Sequence, residues 1–205
     1  MSQGPNLKPI FFLMALLCLP SIAFEELPLE GELQEMPKDI RSVGWQWHYV
    51  DQNGQAGYME KISETTTTNT YRRTDGCHWT RSNTGFAPAL EWHNCPSSGT
   101  SEYRFSGEGV WPLQVGAQFS YIGTGESTLS DRTWKIERKC EVVGTTSIRT
   151  VAGVFDTYKV QCKDRWSKRT WWLAPTVGTA VRYSQSNLLG EQSTQEMTHI
   201  VSPTL

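Results

Sequence analysis

Residues 43–50 read VGWQWHYV, and this stretch predicts a β-strand with one aromatic face. Side chains alternate between the two sides of a strand, so Trp45, Trp47 and Tyr49 share one side. The strand ends at residues 51–54, DQNG, where the Asn-Gly step is typical of a tight hairpin turn. These features predict that the folded part of the chain begins with an antiparallel hairpin.

Segments of the same type recur along the chain as short aromatic and β-branched runs separated by Gly, Asn and Asp. Residues 154–162, VFDTYKVQC, alternate like the first strand, and residues 165–173 and 179–184 continue the series. Gly123 and Gly125 are interpreted as part of a turn. No long segment repeats its apolar residues at helical spacing. We predict an all-β protein with little helix, in which a single strongly curved antiparallel sheet of about eight to ten strands forms a half-barrel or open barrel.

Residues 1–23 have the three parts of a secretory signal peptide. A polar start precedes the apolar run 10–19, and Ser21 and Ala23 supply the small residues of a cleavage site. We expect cleavage after Ala23 and delivery to the periplasm. The apolar run is shorter than the ~20 residues that span a bilayer. An uncleaved anchor and a lipoprotein signal ending at Cys18 are the alternatives.

The remaining chain divides into three parts. Residues 24–41, FEELPLEGELQEMPKDIR, are acidic and contain proline, so we expect a flexible acidic arm. Residues 42–186 form the predicted β domain, and residues 187–205 form a polar C-terminal tail. The net charge of −2 gives no strong field, so no nucleic-acid partner is predicted. No transmembrane segment is expected in the mature chain, because no later apolar run is long enough to span a bilayer.

Four cysteines remain after the signal peptide, and an even number in an exported protein is typical of disulfides. They are Cys77, Cys95, Cys140 and Cys162. Three pairings are possible in principle. The local pairs Cys77–Cys95 and Cys140–Cys162 are favoured because each pair brackets one plausible hairpin.

A zinc site is the alternative use of the first two cysteines. Cys77 is followed by His78, and His93 precedes Cys95 by two positions, so two thiols and two imidazoles are available. The spacing is poor, because adjacent residues of a strand point to opposite faces. We therefore predict disulfides, with no metal and no cofactor.

Three motifs in the second half of the chain resemble one protein family. Residues 150–160 read TVAGVFDTYKV, residues 171–178 read WWLAPTVG, and residues 111–116 read WPLQVG. Together they resemble a family of uncharacterised bacterial periplasmic proteins, a domain-of-unknown-function family. The resemblance spans residues 111–183 and implies a strongly bent antiparallel sheet, distantly like the half-barrels of lipoprotein and lipid carriers. It implies no catalytic residue, because the family has no assigned activity.

The nine tryptophans are the outlier in composition. Trp171 and Trp172 are adjacent, so on a strand one enters the core and the other is exposed or lines a concave surface. Such aromatic surfaces suit flat apolar ligands, and neighbouring cations add cation–π contacts. Core packing and cross-strand pairing are the alternative use. The candidate ligand-binding residues are Trp166, Trp171, Trp172, Arg165 and Arg169.

No motif of a known catalytic site occurs, so no catalytic residue is predicted. Scattered carboxylates such as Glu91, Asp131 and Asp164 cannot be paired from the sequence, so a hydrolase is kept as an alternative function. We predict an exported, non-enzymatic β-sheet protein that binds an apolar or amphipathic envelope ligand, such as a lipid or glycan, or a protein partner. The alternatives are a hydrolase acting on an envelope polymer and an inhibitor or structural accessory protein.

Overall fold

The computed structural model describes residues 24–36, 41–83, 86–106, 111–190 and 192–203. The predicted signal peptide therefore lies outside the described residues. Regular structure within them consists of thirteen β-strands. The strands are β1 (Glu25–Leu27), β2 (Gln46–Asp51), β3 (Ala56–Glu64), β4 (Thr68–Arg73), β5 (His78–Ser82), β6 (Glu91–His93), β7 (Gly99–Ser106), β8 (Gln118–Ser127), β9 (Ser130–Thr150), β10 (Gly153–Lys163), β11 (Ser167–Ala174), β12 (Thr179–Asn187) and β13 (Gln192–Val201). No helix in this part of the chain is long and apolar enough to cross a membrane.

Strands β2 to β13 form one closed antiparallel barrel. Each strand pairs with the next along the chain, and β13 pairs back with β2. β1 adds to the outer edge of β9, where Glu25 lies opposite Arg149. The ring therefore has twelve strands. Because it is closed, each of these strands is hydrogen-bonded to a neighbour on both sides.

The fold class is confirmed as all-β and antiparallel, but the prediction of a half-barrel of eight to ten strands is wrong. One reason is β13, which falls in the stretch predicted as a polar tail and closes the ring. Its sequence, QSTQEMTHIV, has few apolar residues, and Met197 is its one buried side chain. A second reason is β9, whose 21 residues pair first with β8 and then with β10.

Gly123 and Gly125 lie within β8 rather than in a turn. A Cβ atom at Gly123 would collide with the ring of Tyr103, and one at Gly125 with the ring of Trp134. The two glycines are thus needed for close approach of aromatic rings to the strand.

The stretch predicted as a flexible acidic arm contains ordered contacts. It includes β1, and Met36 at its far end is only 2% exposed. Phe24 packs edge-on against Trp172 with 5.2 Å between ring centroids. The few apolar residues of the stretch account for this order, because burial of an aromatic or methionine side chain stabilises the folded chain.

Both predicted disulfides are confirmed. Cys140 and Cys162 lie directly opposite each other on β9 and β10. Cys77 and Cys95 lie at the ends of the paired strands β5 and β6, and their sulfur atoms are bonded to each other rather than available as zinc thiolates. Two disulfides are typical of a protein from an oxidising compartment.

One part of the barrel interior is filled with side chains. Segments between strands contribute Met36, Phe86 and Leu113, each of which is almost fully buried. They pack against the inward-facing residues of β8 to β11. We call this cluster the filled part: Met36, Phe86, Leu113, Phe119, Tyr121, Cys140, Val142, Tyr158, Val160, Cys162 and Leu173.

Candidate functional site

A cavity of about 470 Å³ lies inside the barrel beside the filled part. Residues of β2 to β6 and β11 to β13 line it. The aromatic residues among them include Trp47, Tyr71, Trp79, Trp92, Trp171 and Tyr183. This volume lies within the range of small-molecule binding sites in proteins.

Strand alternation and register bring the aromatic rings to the cavity. Trp79 on β5 lies opposite Tyr71 on β4, and their rings are stacked with centroids 5.9 Å apart. Trp171 on β11 lies opposite Tyr183 on β12, with ring centroids 5.5 Å apart. Each pair shares one face of the sheet, because directly opposed residues point to the same side.

The strands that carry these rings lie on opposite sides of the barrel. Around the ring, β5 and β11 are separated by six steps in either direction, through β6 to β10 or through β12, β13 and β2 to β4. Trp79 and Arg81 project from β5, and Arg169 and Trp171 project from β11. The cavity thus lies between two strands, β5 and β11, each of which contributes one tryptophan and one arginine to its lining.

The structure brings together two of the five predicted ligand-binding residues, Trp171 and Arg169, which both line the cavity. Trp172 lies on the opposite face of β11, 5% exposed and covered by Phe24. Trp172 is therefore a buried residue of a second apolar cluster, which also contains Trp47 and Tyr71, and it is not among the residues that line the cavity.

The other two predicted residues, Arg165 and Trp166, lie in the turn between β10 and β11. Trp166 is 58% exposed, and the guanidinium carbon of Arg165 lies 4.6 Å from the centre of its ring. They form a surface pair away from the residues that line the cavity.

Sequence reasoning missed Arg81, Trp79 and Tyr183 as candidates. A signal for them exists: Trp79 and Arg81 are two residues apart on one strand, as are Arg169 and Trp171 on another. Each pair shares a strand face. Only closure of the ring shows that the two faces meet at one cavity.

The charge of the cavity wall is uniformly positive. No Asp or Glu is found among the described residues that line it. Five arginines are present: Arg41, Arg73, Arg81, Arg169 and Arg182. An anionic group is therefore favoured over a cationic one by the electrostatics of the wall.

Three of these arginines are engaged with other protein groups. Arg73 donates to Asp75 at 2.9 Å, and Arg182 is paired with Glu196. Arg41 lies over the ring of Trp47, 3.9 Å from its centre. Their charges are compensated or packed without help from a ligand.

Arg81 and Arg169 differ from Arg73 and Arg182, because neither forms a hydrogen bond or ion pair within the described part of the chain. The guanidinium carbon of Arg81 lies 5.7 Å from the centre of the Trp79 ring. The Nε atom of each is buried without a hydrogen-bond partner. Burial lowers the pKa of the Arg81 guanidinium, and the positive charge of Arg169 also lowers it, against an opposing effect of Tyr71. The pKa of Tyr183 is raised by burial, which keeps its hydroxyl protonated as a donor to Gln185 at 2.6 Å.

The filled part adjoins a buried ion pair between Arg138 and Asp164, whose side chains are 1% and 3% exposed. Arg138 Nε donates to Asp164 Oδ2 at 2.9 Å, and Arg138 Nη1 donates to the Tyr121 hydroxyl at 3.0 Å. Backbone N–H groups of Trp166 and Ser167 each donate to Asp164 at 2.7 Å. Burial acts to raise the pKa of Asp164, but the hydrogen bonds from Arg138 and Trp166 outweigh it and the pKa is lowered.

The carboxylates that left a hydrolase open do not form a described catalytic pair. Asp164 is held by Arg138, and Glu91 contacts His93 on the exposed side of β6. The side chain of Asp131 lies outside the described part of the structure.

Comparison with known proteins finds structural likeness at low sequence identity. No protein-family model and no curated protein matches the chain. Among solved structures, the hypothetical lipoprotein YmcC from Escherichia coli is 11% identical with a TM-score of 0.47, over 80% of this chain and 90% of that chain. A protein from Bacteroides fragilis described as exported, with a YmcC-like fold, is 12% identical with a TM-score of 0.35, over 79% of this chain and 97% of that chain. A protein from Parabacteroides distasonis described as a lipoprotein is 11% identical with a TM-score of 0.41, over 83% of this chain and 100% of that chain.

These likenesses assign no activity or site to the chain. The family resemblance drawn from residues 111–183 stays a prediction, as does export through a cleaved signal peptide.

Proposed function

We propose that the protein is a periplasmic, non-enzymatic binding protein that holds an amphipathic envelope ligand inside its barrel. The observation that supports this most directly is the cavity of about 470 Å³ with its aromatic wall. An aromatic ring that faces a cavity lacks packing contacts on that side, so a cavity lined by large rings suits an apolar group that restores these contacts.

The number of strands accounts for the cavity in physical terms. Barrel diameter grows with strand number, and about eight strands enclose an interior that side chains can fill. The twelve-stranded ring is wider, and it stays partly open even though Met36, Phe86 and Leu113 enter from segments between strands. Barrels of this kind enclose ligand sites when their interior is wider than their side chains.

The aromatic rings on the two walls define how an apolar body would be held. Trp79 stacks on Tyr71 at one side, and Trp171 contacts Tyr183 at the other. Rings that are already packed against a neighbour lose little conformational freedom when a ligand binds. The wall is thus prearranged to bind a flat or chain-like apolar group.

A neutral probe tests this proposal on the mature chain. N-phenyl-1-naphthylamine fluoresces in apolar surroundings and carries no charge at neutral pH. We expect saturable binding of one probe per chain, and Trp171→Leu weakens it by about tenfold because the indole provides part of the wall.

The adjacent residue gives the matched control. Trp172→Leu changes a buried ring that does not line the cavity, so we expect the probe affinity to stay within about twofold. Absence of saturable binding by the natural sequence, or binding that Trp171→Leu leaves unchanged, overturns the proposal.

A further inference from the structure

Arg81 and Arg169 approach the same space from opposite walls of the barrel. They lie on β5 and β11, which are six strands apart in both directions around the ring. Both residues line the cavity. The charge of Arg169 acts on Arg81, and both charges act on Tyr183, so the two guanidinium groups share one electrostatic environment.

No protein carboxylate neutralises this pair within the described residues. The ionisable groups that act on Arg81 are Tyr71, Arg169, Tyr183 and Tyr121, and of these Arg169 is the one that is charged at neutral pH. Buried charged groups in proteins are normally paired, because an unpaired one loses its hydration without compensation. Two like charges beside one cavity add mutual repulsion to that cost.

The buried Nε atoms of the two arginines further limit the class of ligand that fits the cavity. A guanidinium presents its N–H donors in a planar fork that fits the oxygen atoms of carboxylate, phosphate and sulfate groups. Arg81 Nε and Arg169 Nε are each buried without an acceptor among the described protein groups. An oxyanion between the two side chains would supply acceptors to both.

We propose that the ligand of this cavity is an anionic amphiphile whose oxyanion group is bound jointly by Arg81 and Arg169. The inference rests on the proposed function and specifies the ligand class for that site. The apolar body of the ligand lies against Trp79 and Trp171, which are two residues away from the arginines on the same strand faces. Each wall therefore contributes one ring to the apolar body and one cation to the charged group.

Two dyes with the same ring system test the inference on the mature chain. 8-Anilinonaphthalene-1-sulfonate is N-phenyl-1-naphthylamine with an added sulfonate, so the pair differs in one anionic group. We expect the sulfonate to bind at least about tenfold more tightly than the neutral dye. Arg81→Met or Arg169→Met should abolish most of this difference, measured as the ratio of the two dye affinities within each variant.

Arg165→Met is the matched control for net charge. Arg165 lies at the exposed turn over Trp166, and its loss removes one positive charge without touching the cavity. We expect the preference for the sulfonate to be unchanged. An equal loss of preference in Arg165→Met and Arg169→Met would overturn the inference, because it would show attraction to the whole surface.

Competition separates an amphiphile from a free anion. Dodecyl phosphate should displace the sulfonate dye, whereas inorganic phosphate at the same concentration should not, since it has no apolar body. Displacement by inorganic phosphate alone would overturn the assignment of an amphiphile.

The inference and the proposed function fail in distinguishable ways. If the neutral dye binds and responds to Trp171→Leu but the sulfonate binds no better, the arginine inference is wrong and the proposed binding function stands. If neither dye binds saturably, both are wrong.

Discussion

Arginines in two regions of the barrel interior have opposite surroundings. Beside the filled part, Arg138 is almost completely buried and bonded to Asp164, Tyr121 and Ser167. Beside the cavity, Arg81 and Arg169 have no such partners in the described part of the chain. The same residue type thus has a protein counterion in Arg138 and none among the described residues in Arg81 and Arg169.

The difference separates a structural charge from a binding charge. A charge enclosed by protein requires a protein counterion, because no other group reaches it. A charge that faces a cavity can obtain its counterion from a ligand. The comparison therefore predicts that replacing Arg138 lowers the stability of the fold, whereas replacing Arg169 does not.

The largest effect is expected at the buried ion pair. Arg138→Met leaves the Asp164 carboxylate enclosed without its partner, and we expect the free energy of unfolding to fall by roughly 3–5 kcal/mol. Urea denaturation followed by tryptophan fluorescence measures the loss. Arg169→Met is the matched variant, and we expect no loss of stability, since it removes an unpaired charge. Equal destabilisation by both variants would contradict the distinction.

The two disulfides provide a second comparison between the same regions. Cys140–Cys162 lies in the filled part, whereas Cys77 and Cys95 line the cavity. Their sequence separations are 22 and 18 residues, so replacing either pair with alanine should cost about 3 kcal/mol.

Dye binding should tell the two disulfides apart. We expect loss of Cys77–Cys95 to weaken binding of the neutral dye as well, and loss of Cys140–Cys162 to leave it unchanged. The reverse pattern would place the ligand in the filled part.

The pH dependence of stability tests the role of Asp164 as the counterion of Arg138. Its pKa is lowered in the folded protein, so its stabilising contribution is present above the unfolded value of about 3.9 and lost as pH falls through the lower folded value. Urea midpoints should therefore fall below about pH 4, and Asp164→Asn should reduce this dependence. Because arginine stays protonated throughout this range, Arg169→Met should retain the dependence of the natural sequence. If the urea midpoint of Asp164→Asn falls by the same amount below about pH 4, the pH dependence is due to other groups.

The smallest effect is expected at the exposed turn. Trp166→Ser removes a ring that is 58% exposed, and we expect stability to change by less than about 0.5 kcal/mol. Affinity for both dyes should be unchanged, in contrast to Trp171→Leu. Reduced dye binding in this variant would show that Trp166 takes part in ligand binding.

Local patterns predicted the strands and the cross-links well. The alternation in residues 154–162 corresponds to β10, and the Asn-Gly step forms the turn between β2 and β3 with Gly54 at φ 77°. Pairing of neighbouring cysteines followed from the hairpins that they bracket. These features depend on residues close together in the chain, which is why the pattern was sufficient.

The ring and the site could not be predicted in the same way. β13 closes the barrel although its sequence is mostly polar, and the pairing of β2 with β13 joins segments from the two ends of the described chain. Trp171 and Trp172 are adjacent residues of the same type, so the local sequence does not show which of them faces the cavity. Trp171 lines the cavity, and Trp172 lies beneath Phe24. Which face is inside depends on the direction in which the sheet closes.

The amino-acid sequence by itself determined the all-β character and the separation of Trp171 from Trp172 across their strand, because alternation and short loops are local properties. It favoured the two disulfides that the structure shows but left other pairings possible. Only the tertiary structure decided that twelve strands close into a ring. That closure places Arg81 across a cavity from Arg169, while Arg138 lies against Asp164. The physical reason is that the partner of a charge is set by long-range strand pairing, and a sequence pattern contains no distance between residues on opposite walls.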